Sequence, residues 1–326
     1  MRSWEGHGRA SDRLDLGDAL GGAYQLKVAS IVRPTKSPAT SRNMRRLKIL
    51  HRTYYNFLGA VQLEPHRLLL RPREGPSLHI ELSTLDIVPA AQIRWLRDAY
   101  DNSVAIATFN SSTTHLGIVS ECVVQQFDER PLDFLVEDCA VNYPFNYDAE
   151  TVEVLRPYLG GPSLGEQAAL GAWVRRYWHP GESVQTYALL ARLCAGINQS
   201  LTYQIREEPG VQSAVETLAR GAGSCRDFAN LFMESARFLG LAARFVSGYL
   251  HAPFEDGRSG STHAWSEVYL PGAGWKGFDP TSGEIVGSRH IAVAVARMPE
   301  AVSPVSGSFF GPVGAALSVG VWVSDQ

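Results

Sequence analysis

Cysteine is scarce in this chain, and the few cysteines have no ordered spacing. The chain contains four of them, Cys122, Cys139, Cys194 and Cys225, and no CxxC pair occurs. A disulfide-stapled secreted scaffold and a cysteine-based structural zinc site both need a closer or more regular spacing. The pattern favours a reducing compartment, and we expect a cytoplasmic protein.

An excess of charge of one sign is also missing. The 326 residues carry 30 Lys+Arg and 33 Asp+Glu, a formal net charge of −3. This balance lacks the basic footprint of a general nucleic-acid binder, so we expect no nucleic-acid partner. Hydrophobic residues make up 45% of the chain and charged residues 19%. These proportions are typical of a chain that buries a core.

Long hydrophobic runs of the kind that anchor proteins in membranes are lacking as well. The longest uncharged stretch, residues 301–324, contains two prolines, four glycines and five serines, which dilute it below the level of a spanning helix. Leu317, Val319, Val321 and Val323 alternate within it and predict a strand. The first residues also lack the apolar core of a secretory signal. We therefore expect no membrane partner.

The patterned sequence begins abruptly at Met44. Residues 1–43 show no sustained period, and we expect them to be a mobile extension that can be removed without loss of the fold. From there, alternating residues predict a strand with one apolar face: Leu47, Ile49, His51, Thr53, Tyr55 and Phe57. Further short strands, separated by turn signals, follow as far as about residue 130. This spacing predicts a small antiparallel β domain.

The second half has a different order of elements. Tyr187, Leu190, Cys194, Ile197 and Leu201 form one helical stripe, and another helix is predicted from about Ser224 to Leu239. Strands at 243–250, 263–270 and 275–279 follow. Helices before an antiparallel sheet are typical of an α+β fold. The predicted divisions are an extension (1–43), the β domain (44–130), a connecting segment (131–165), a catalytic core (166–296) and a C-terminal segment with a terminal strand (297–326).

Cys225 differs from the other cysteines in its surroundings. It follows a Gly-Ala-Gly stretch and Ser224, which is a typical N-cap residue, and Asp227 lies at the position of a capping-box acid. The free N–H groups and the dipole of a helix N-terminus stabilise a thiolate, which is the nucleophilic form of cysteine. We expect the other three cysteines to belong to the core.

Two further residues complete a chemical pattern. His263 opens one predicted strand and Asp279 ends the next, so a hairpin through residues 271–274 brings both to one edge of the sheet. Cysteine, histidine and aspartate together are the arrangement used for acyl transfer. By alternation, Trp265 and Glu267 lie on the face of His263. Either could support the catalytic residues or line the cleft, and core packing is the alternative for Trp265.

Three blocks carry a resemblance to a known family: GSCRDFA (223–229), LGLAARFVSGYL (239–250) and HAWSEVYLPGAGWKGFDPT (263–281). They resemble the core of the bacterial transglutaminase-like proteins. The β-rich stretch with PHRL (65–68) and LRPR (70–73) resembles the N-terminal domain of the same family. The resemblance implies an α+β, papain-like core after a small antiparallel β domain, with Cys225, His263 and Asp279 as catalytic residues. It also implies Tyr203 as a second oxyanion donor beside the Cys225 backbone N–H, although packing would equally explain an aromatic residue there.

The expected function is a thiol acyl-transfer enzyme that acts on peptide or amide carbonyls through an acyl-cysteine. The partner would be a peptide or protein substrate, and the acyl acceptor is water or an amine. Hydrolysis is favoured because water needs no dedicated site. The alternative is a catalytically silent peptide-binding or scaffold protein that uses the same cleft. No His/Cys ligand cluster and no acidic loop with calcium spacing occurs, so we expect no metal and no cofactor.

Overall fold

The computed structural model describes residues 44–127, 132–161, 163, 165–206, 208–251 and 262–326. The expectation of a mobile extension at residues 1–43 lies outside the described residues. All described residues belong to one compact unit, Arg42–Gln326.

The first part of this unit is built from strands: β1 (Met44–Leu63), β2 (His66–Leu68), β3 (Leu78–Val88), β4 (Gln92–Arg97), β5 (Ser103–Thr108) and β6 (Thr113–Phe127). In β1, the predicted inward face is buried from Leu47 to Thr53, while Arg52 on the other face is exposed. The alternation in the sequence therefore predicted both the strand and its orientation correctly.

The second part begins with helices and very short strands: α1 (Asp138–Val141), β7 (Asn142–Tyr143), α2 (Ala149–Leu155), α3 (Gln167–Val174), β8 (Val184–Gln185), α4 (Thr186–Ser200), β9 (Thr202–Tyr203), α5 (Ala214–Arg220), β10 (Ala222–Gly223) and α6 (Cys225–Phe238). A 3₁₀ turn, Arg156–Tyr158, follows α2. Helix α5 ends at Gly221, whose positive φ of 63° closes the last turn.

A run of strands follows α6: β11 (Ala243–Leu250), β12 (His263–Leu270), β13 (Gly274–Asp279), β14 (Glu284–Ile285), β15 (His290–Ala296), β16 (Val305–Ser306), β17 (Phe309–Phe310) and β18 (Ala315–Asp325). A second 3₁₀ turn, Pro299–Val302, lies between β15 and β16. Five of these strands form one antiparallel sheet in the order β14-β13-β12-β11-β15. The observed α+β architecture confirms the predicted fold class.

The end of the chain returns to its first strands. Strand β18 pairs antiparallel with β1 from Leu47 opposite Asp325 to Phe57 opposite Ala315. Strand β16 pairs with β2, and β17 pairs with the end of β1. The N-terminal sheets are thus completed by residues from the far end of the sequence.

One apolar cluster links the N-terminal strands with the helices and the five-stranded sheet. It contains Leu47 and Ile49 of β1, Phe232 of α6 and Phe278 of β13, all essentially buried. A smaller cluster around Leu68 and Leu116 contains residues of β1, β2, β5 and β6. The five-stranded sheet is therefore supported by packing from both parts of the molecule, which holds its strand ends in fixed positions.

Candidate functional site

Cys225 is the first residue of α6, where backbone N–H groups have no intrahelical carbonyl partner. The carboxylate of Asp227 accepts hydrogen bonds from the backbone N–H and from the hydroxyl of Ser224, both at 2.8 Å. The predicted capping arrangement is therefore present. A Cβ at Gly223 would lie 2.8 Å from the Cβ of Asp227, so this turn requires glycine.

Asp227 also holds the segment that faces the start of α6. Its carboxylate accepts hydrogen bonds from the backbone N–H of Gln212 at 2.8 Å and from the guanidinium of Arg206 at 2.8 and 2.9 Å. Burial alone would raise the pKa of Asp227, but the hydrogen bonds from Ser224, Gln212 and Arg206 outweigh it and lower this pKa. Asp227 is thus a buried, ionised anchor.

His263 and Asp279 meet at the edge of the five-stranded sheet, as the predicted hairpin requires. Leu270 pairs with Gly274 at the tight end of the β12–β13 hairpin, and Ser266 pairs with Phe278 further along. This register brings Asp279 back toward the start of β12. The Nε2 atom of His263 lies 2.8 Å from Oδ2 of Asp279.

The charge of His263 is controlled by its neighbours. Burial alone would lower the pKa of this imidazole, but its interactions with the side chains of Asp279 and Cys225 outweigh burial and raise the pKa above its usual value. Because Nε2 is directed at Asp279, Nδ1 is the ring atom left to face Cys225. The imidazole is therefore bound to the carboxylate through one nitrogen and has the other available to the thiol.

A second histidine, which the sequence analysis did not single out, also binds Asp279. The Nε2 atom of His290 lies 3.1 Å from Asp279 Oδ2, and Oδ1 accepts the backbone N–H of Thr281 at 2.9 Å. Burial would raise the pKa of Asp279, but the hydrogen bonds from His263 and His290 hold it well below its usual range. The carboxylate of Asp279 is therefore ionised, and both histidines bind it.

His290 gave no local signal in the sequence. It opens β15 after a short turn, and nothing in the neighbouring residues distinguishes it from an ordinary histidine. Only the pairing of β15 with the far edge of β11, which no local pattern specifies, brings it to Asp279.

The three residues His263, Asp279 and His290 offer ligand atoms within 4.8 Å of one another, close enough to hold a metal ion. The two N···O distances, 2.8 and 3.1 Å, are those of hydrogen bonds to a single carboxylate oxygen. A cation at this place would have to displace both imidazole N–H protons.

A cleft of about 420 Å³ opens beside this group. Cys225 and His263 both line it, together with apolar side chains from both walls: Val211, Phe245, Ala264, Pro299 and Val302. Tyr203 lies at the same cleft, 46% exposed. Its strand β9 pairs parallel with β10, so Tyr203 is opposite Gly223, just before the cysteine. Burial, followed by negative charge at Cys225 and Asp279, raises the pKa of Tyr203.

Trp265 lies behind the histidines and outside the lining of the cleft. Its side chain is 1% exposed, and its ring centroid lies 5.2 Å from that of His290 and 6.2 Å from that of His263. Gly248 makes room for it, because a Cβ there would lie 2.6 Å from the indole. Of the two interpretations left open by the sequence, core packing fits the observed position.

Glu267 is engaged elsewhere. Its carboxylate accepts a hydrogen bond from Nε of Arg244 at 2.6 Å, and this guanidinium lies 4.2 Å from the centre of the Trp275 ring. The structure pairs His263 with Asp279 and with no atom of Glu267.

The remaining cysteines differ from one another. Cys122 and Cys194 are buried, as expected, whereas Cys139 is exposed. The expectation that Cys139 belongs to the core is therefore wrong. The single-turn helix α1 buries only Ala140, so its other side chains lie at the surface. All four cysteines are free.

Two regions of the sequence match known protein families. Residues 180–280 match the Transglutaminase-like superfamily, and residues 47–125 match the bacterial transglutaminase-like N-terminal region. The chain therefore contains a transglutaminase-like core and a bacterial transglutaminase-like N-terminal region. The match confirms the family resemblance, and the transglutaminase-like core contains Cys225, His263 and Asp279.

Related proteins extend over nearly the same length. The uncharacterized protein ML0607 of Mycobacterium leprae is 28% identical over 279 residues, which is 82% of this chain and 94% of that protein. The uncharacterized protein Rv2569c of Mycobacterium tuberculosis is 28% identical over 290 residues, 81% of this chain and 88% of that protein.

A solved structure shares the fold of this chain. It is a candidate cysteine protease from Cytophaga hutchinsonii, which is 20% identical, with a TM-score of 0.65 over 87% of this chain and 91% of that one. Among the described residues, no helix is both long and apolar enough to cross a bilayer.

Proposed function

We propose that this protein is a cysteine-dependent acyl-transfer enzyme that acts on peptide or amide carbonyls. The observation that carries the proposal is the position of His263, which is hydrogen bonded to Asp279 and lines an open cleft together with Cys225. The match of residues 180–280 to the Transglutaminase-like superfamily supports the same chemistry.

The first half of the reaction forms an acyl enzyme. The Cys225 thiolate attacks the substrate carbonyl carbon, and a C–S bond forms while the carbonyl π electrons move to oxygen. When the tetrahedral intermediate collapses, the C–N bond breaks and the imidazolium of His263 gives its Nδ1 proton to the leaving amine. The pKa of His263, raised above its usual value, keeps this proton available at neutral pH.

The second half releases the acyl group. Neutral His263 takes a proton from the acceptor, which attacks the thioester carbon, and the C–S bond then breaks to return the thiolate. Asp279 stays ionised throughout and fixes the orientation of the imidazole. Water as acceptor gives hydrolysis and an amine gives transamidation. We favour hydrolysis, since a second, amine-binding site is an additional requirement.

Two donors are proposed for the oxyanion of the tetrahedral intermediate. One is the backbone N–H of Cys225, which points from the helix N-terminus. The other is the Tyr203 hydroxyl, which lies at the same cleft and whose raised pKa keeps it protonated. Asp227 supports both by fixing the start of α6 and the segment facing it, and Trp265 supports the imidazole from behind.

The most direct experiment measures which thiol reacts first. At about pH 6 an ordinary thiol, with a pKa of about 8.5, is almost entirely protonated and reacts slowly with iodoacetamide. Cys139 is exposed and has no imidazole partner among the described residues, so it is a built-in reference. We expect Cys225 to be alkylated first. Preferential labelling of Cys139 would contradict the assignment of the nucleophile.

The acceptor is identified by a digest of a peptide library, read by mass spectrometry, with and without an added primary amine. Cleaved peptides that depend on Cys225 indicate a hydrolase, and amine-adducted peptides indicate a transglutaminase. The Cys225→Ala variant is the control. A rival function, a silent peptide-binding scaffold, predicts peptide capture without any product in either arm.

We further propose that the protein works in the cytoplasm on peptide or protein substrates, without a nucleic-acid or membrane partner. The four free cysteines and the nearly balanced charge support this proposal.

A further inference from the structure

Asp279 is unusual in serving two imidazoles through one oxygen. His263 Nε2 and His290 Nε2 both approach Oδ2, at 2.8 and 3.1 Å, and Oδ1 is occupied by the backbone N–H of Thr281. The carboxylate is thus restrained from three directions. Without His290, one oxygen would be held only by the group that it has to orient.

The tautomer of His290 is set by the turn before it. The backbone N–H of Gly287 donates to Nδ1 of His290 at 3.3 Å, and the backbone N–H of His290 donates to the carbonyl of Gly287 at 3.0 Å. Because Nδ1 accepts a hydrogen bond, the ring proton lies on Nε2 and points at Asp279. His290 is therefore built as a donor to this carboxylate.

The position of the His290 ring is equally restrained. Its side chain is 2% exposed and packs at 77° against Trp265. Its backbone carbonyl accepts a hydrogen bond from Nε2 of Gln126 at 3.2 Å, on β6 of the N-terminal sheets. A histidine held in place by these contacts is suited to fix the position of the Asp279 carboxylate in turn.

We infer that His290 is a positioning residue for the proposed reaction: its Nε2–H holds Asp279 Oδ2 in the plane of the His263 ring. The inference rests on the proposed function. His290 lies outside the lining of the cleft and acts only through Asp279. Loss of its hydrogen bond would let the carboxylate rotate about its Cβ–Cγ bond, and the His263–Cys225 pair would lose its fixed geometry.

Two substitutions separate hydrogen bonding from packing. His290→Phe keeps an aromatic ring against Trp265 but removes the donor, whereas His290→Gln keeps an N–H donor and loses the ring. His66→Phe is the matched control, since His66 is also a buried histidine and its Nδ1 bonds only the carbonyl of Glu64.

The probe is iodoacetamide, and the readout is the alkylation rate of Cys225 at about pH 6. One lost charge-assisted hydrogen bond corresponds to roughly a tenfold change, so we expect His290→Phe to react about ten times more slowly than the unaltered protein. His290→Gln should stay within about threefold and His66→Phe within about twofold of it. Thermal melting verifies that each variant is folded.

Three outcomes are informative. If the unaltered protein labels Cys225 no faster than Cys139, the proposed function fails and the role of His290 fails with it. If the unaltered protein is selective and His290→Phe is equally fast or faster, only the role of His290 is overturned. If Cys225 is alkylated slowly in His290→Gln but at the unaltered rate in His290→Phe, His290 contributes through packing and not through hydrogen bonding.

A second measurement does not depend on the folding of any variant. In ¹⁵N-histidine spectra of the unaltered protein, His290 should carry its proton on Nε2 with Nδ1 unprotonated. A proton on Nδ1 with Nε2 unprotonated would overturn the inference, since His290 would then be unable to donate to Asp279 through Nε2.

Discussion

At the scale of single residues, the carboxylate of Asp279 satisfies three donors at once. Both of its oxygens accept, one from two imidazole N–H groups and the other from the Thr281 backbone. An amide cannot do the same. In Asp279→Asn, either the oxygen faces the histidines and the NH₂ meets the Thr281 N–H, or the two are exchanged and the NH₂ meets both imidazoles.

We therefore expect Asp279→Asn to reduce turnover by about 10²–10⁴-fold with little change in KM, because the orientation of His263 is lost and the cleft is not. Steady-state kinetics on a peptide identified in the library digest measures both constants. Asp325→Asn, at an exposed ion pair with Arg45, is the control. Near-full turnover in Asp279→Asn would mean that Asp279 does not orient His263.

The environment of His51 predicts how the free energy of unfolding depends on pH. Its ring is buried in β1, between the Tyr249 hydroxyl at 3.1 Å and the Thr53 hydroxyl at 3.0 Å, and burial lowers its pKa to about 4. In the unfolded chain, His51 has its ordinary pKa of about 6.5 and is therefore protonated at a higher pH than in the folded protein. The free energy of unfolding should therefore decrease between about pH 6.5 and 4, by about 3 kcal/mol.

Urea denaturation at several pH values tests this. The His51→Gln variant should lose this part of the pH dependence, whatever its stability at pH 7, while the exposed His79→Gln should keep it. Equal slopes in the unaltered protein and in His51→Gln would show that other groups carry the acid sensitivity.

At the scale of elements, the N-terminus of α6 depends on one buried anion. Asp227→Ala would leave the largely buried guanidinium of Arg206 with only the more distant carboxylate of Glu208, at 3.6 Å. It would also remove the acceptor for the backbone N–H groups of Ser224 and Gln212. Breaking a buried ion pair by removing one partner typically costs about 3–5 kcal/mol. We expect a loss of this size in chemical denaturation.

The stability loss in Asp227→Ala can be compared with the loss at an ordinary helix N-cap. Ser213 caps α5 by accepting the backbone N–H of Glu216 at 3.1 Å, and Ser213→Ala should cost only about 1 kcal/mol. Similar costs for Asp227→Ala and Ser213→Ala would show that Asp227 is merely a cap and not an anchor for the facing segment.

Elements set by local patterns were predicted well from the sequence. The strand from Met44, the helix that starts at Cys225 and the hairpin joining β12 to β13 all depend on alternation, capping residues or turn glycines within a few positions. Partners far apart in the sequence were not predicted. The contact of His290 with Asp279 and the pairing of β18 with β1 depend on the assembled sheets, which leave no local signal.

At the scale of the whole molecule, β18 contributes to the core that supports the site. Val321 is 2% exposed and belongs to the largest apolar cluster, whereas Val319, on the same face of β18, is 43% exposed. Val321→Ala removes buried methyl groups and should cost about 2 kcal/mol, while Val319→Ala should stay within about 0.5 kcal/mol. Denaturation of the two variants side by side measures the difference. Equal costs would mean that β18 is not anchored as described.

The pairing of β1 with β18 also has a consequence for biosynthesis. During translation β1 leaves the ribosome early, and its partner emerges only after the whole region that carries Cys225, His263 and Asp279. One edge of β1 must therefore remain unpaired until β18 has been synthesised. A strand edge left open for that time is a template for wrong pairing. The nascent chain should therefore depend on chaperones until β18 emerges, and a ribosome that stalls before residue 315 should release a product unable to complete its first sheet.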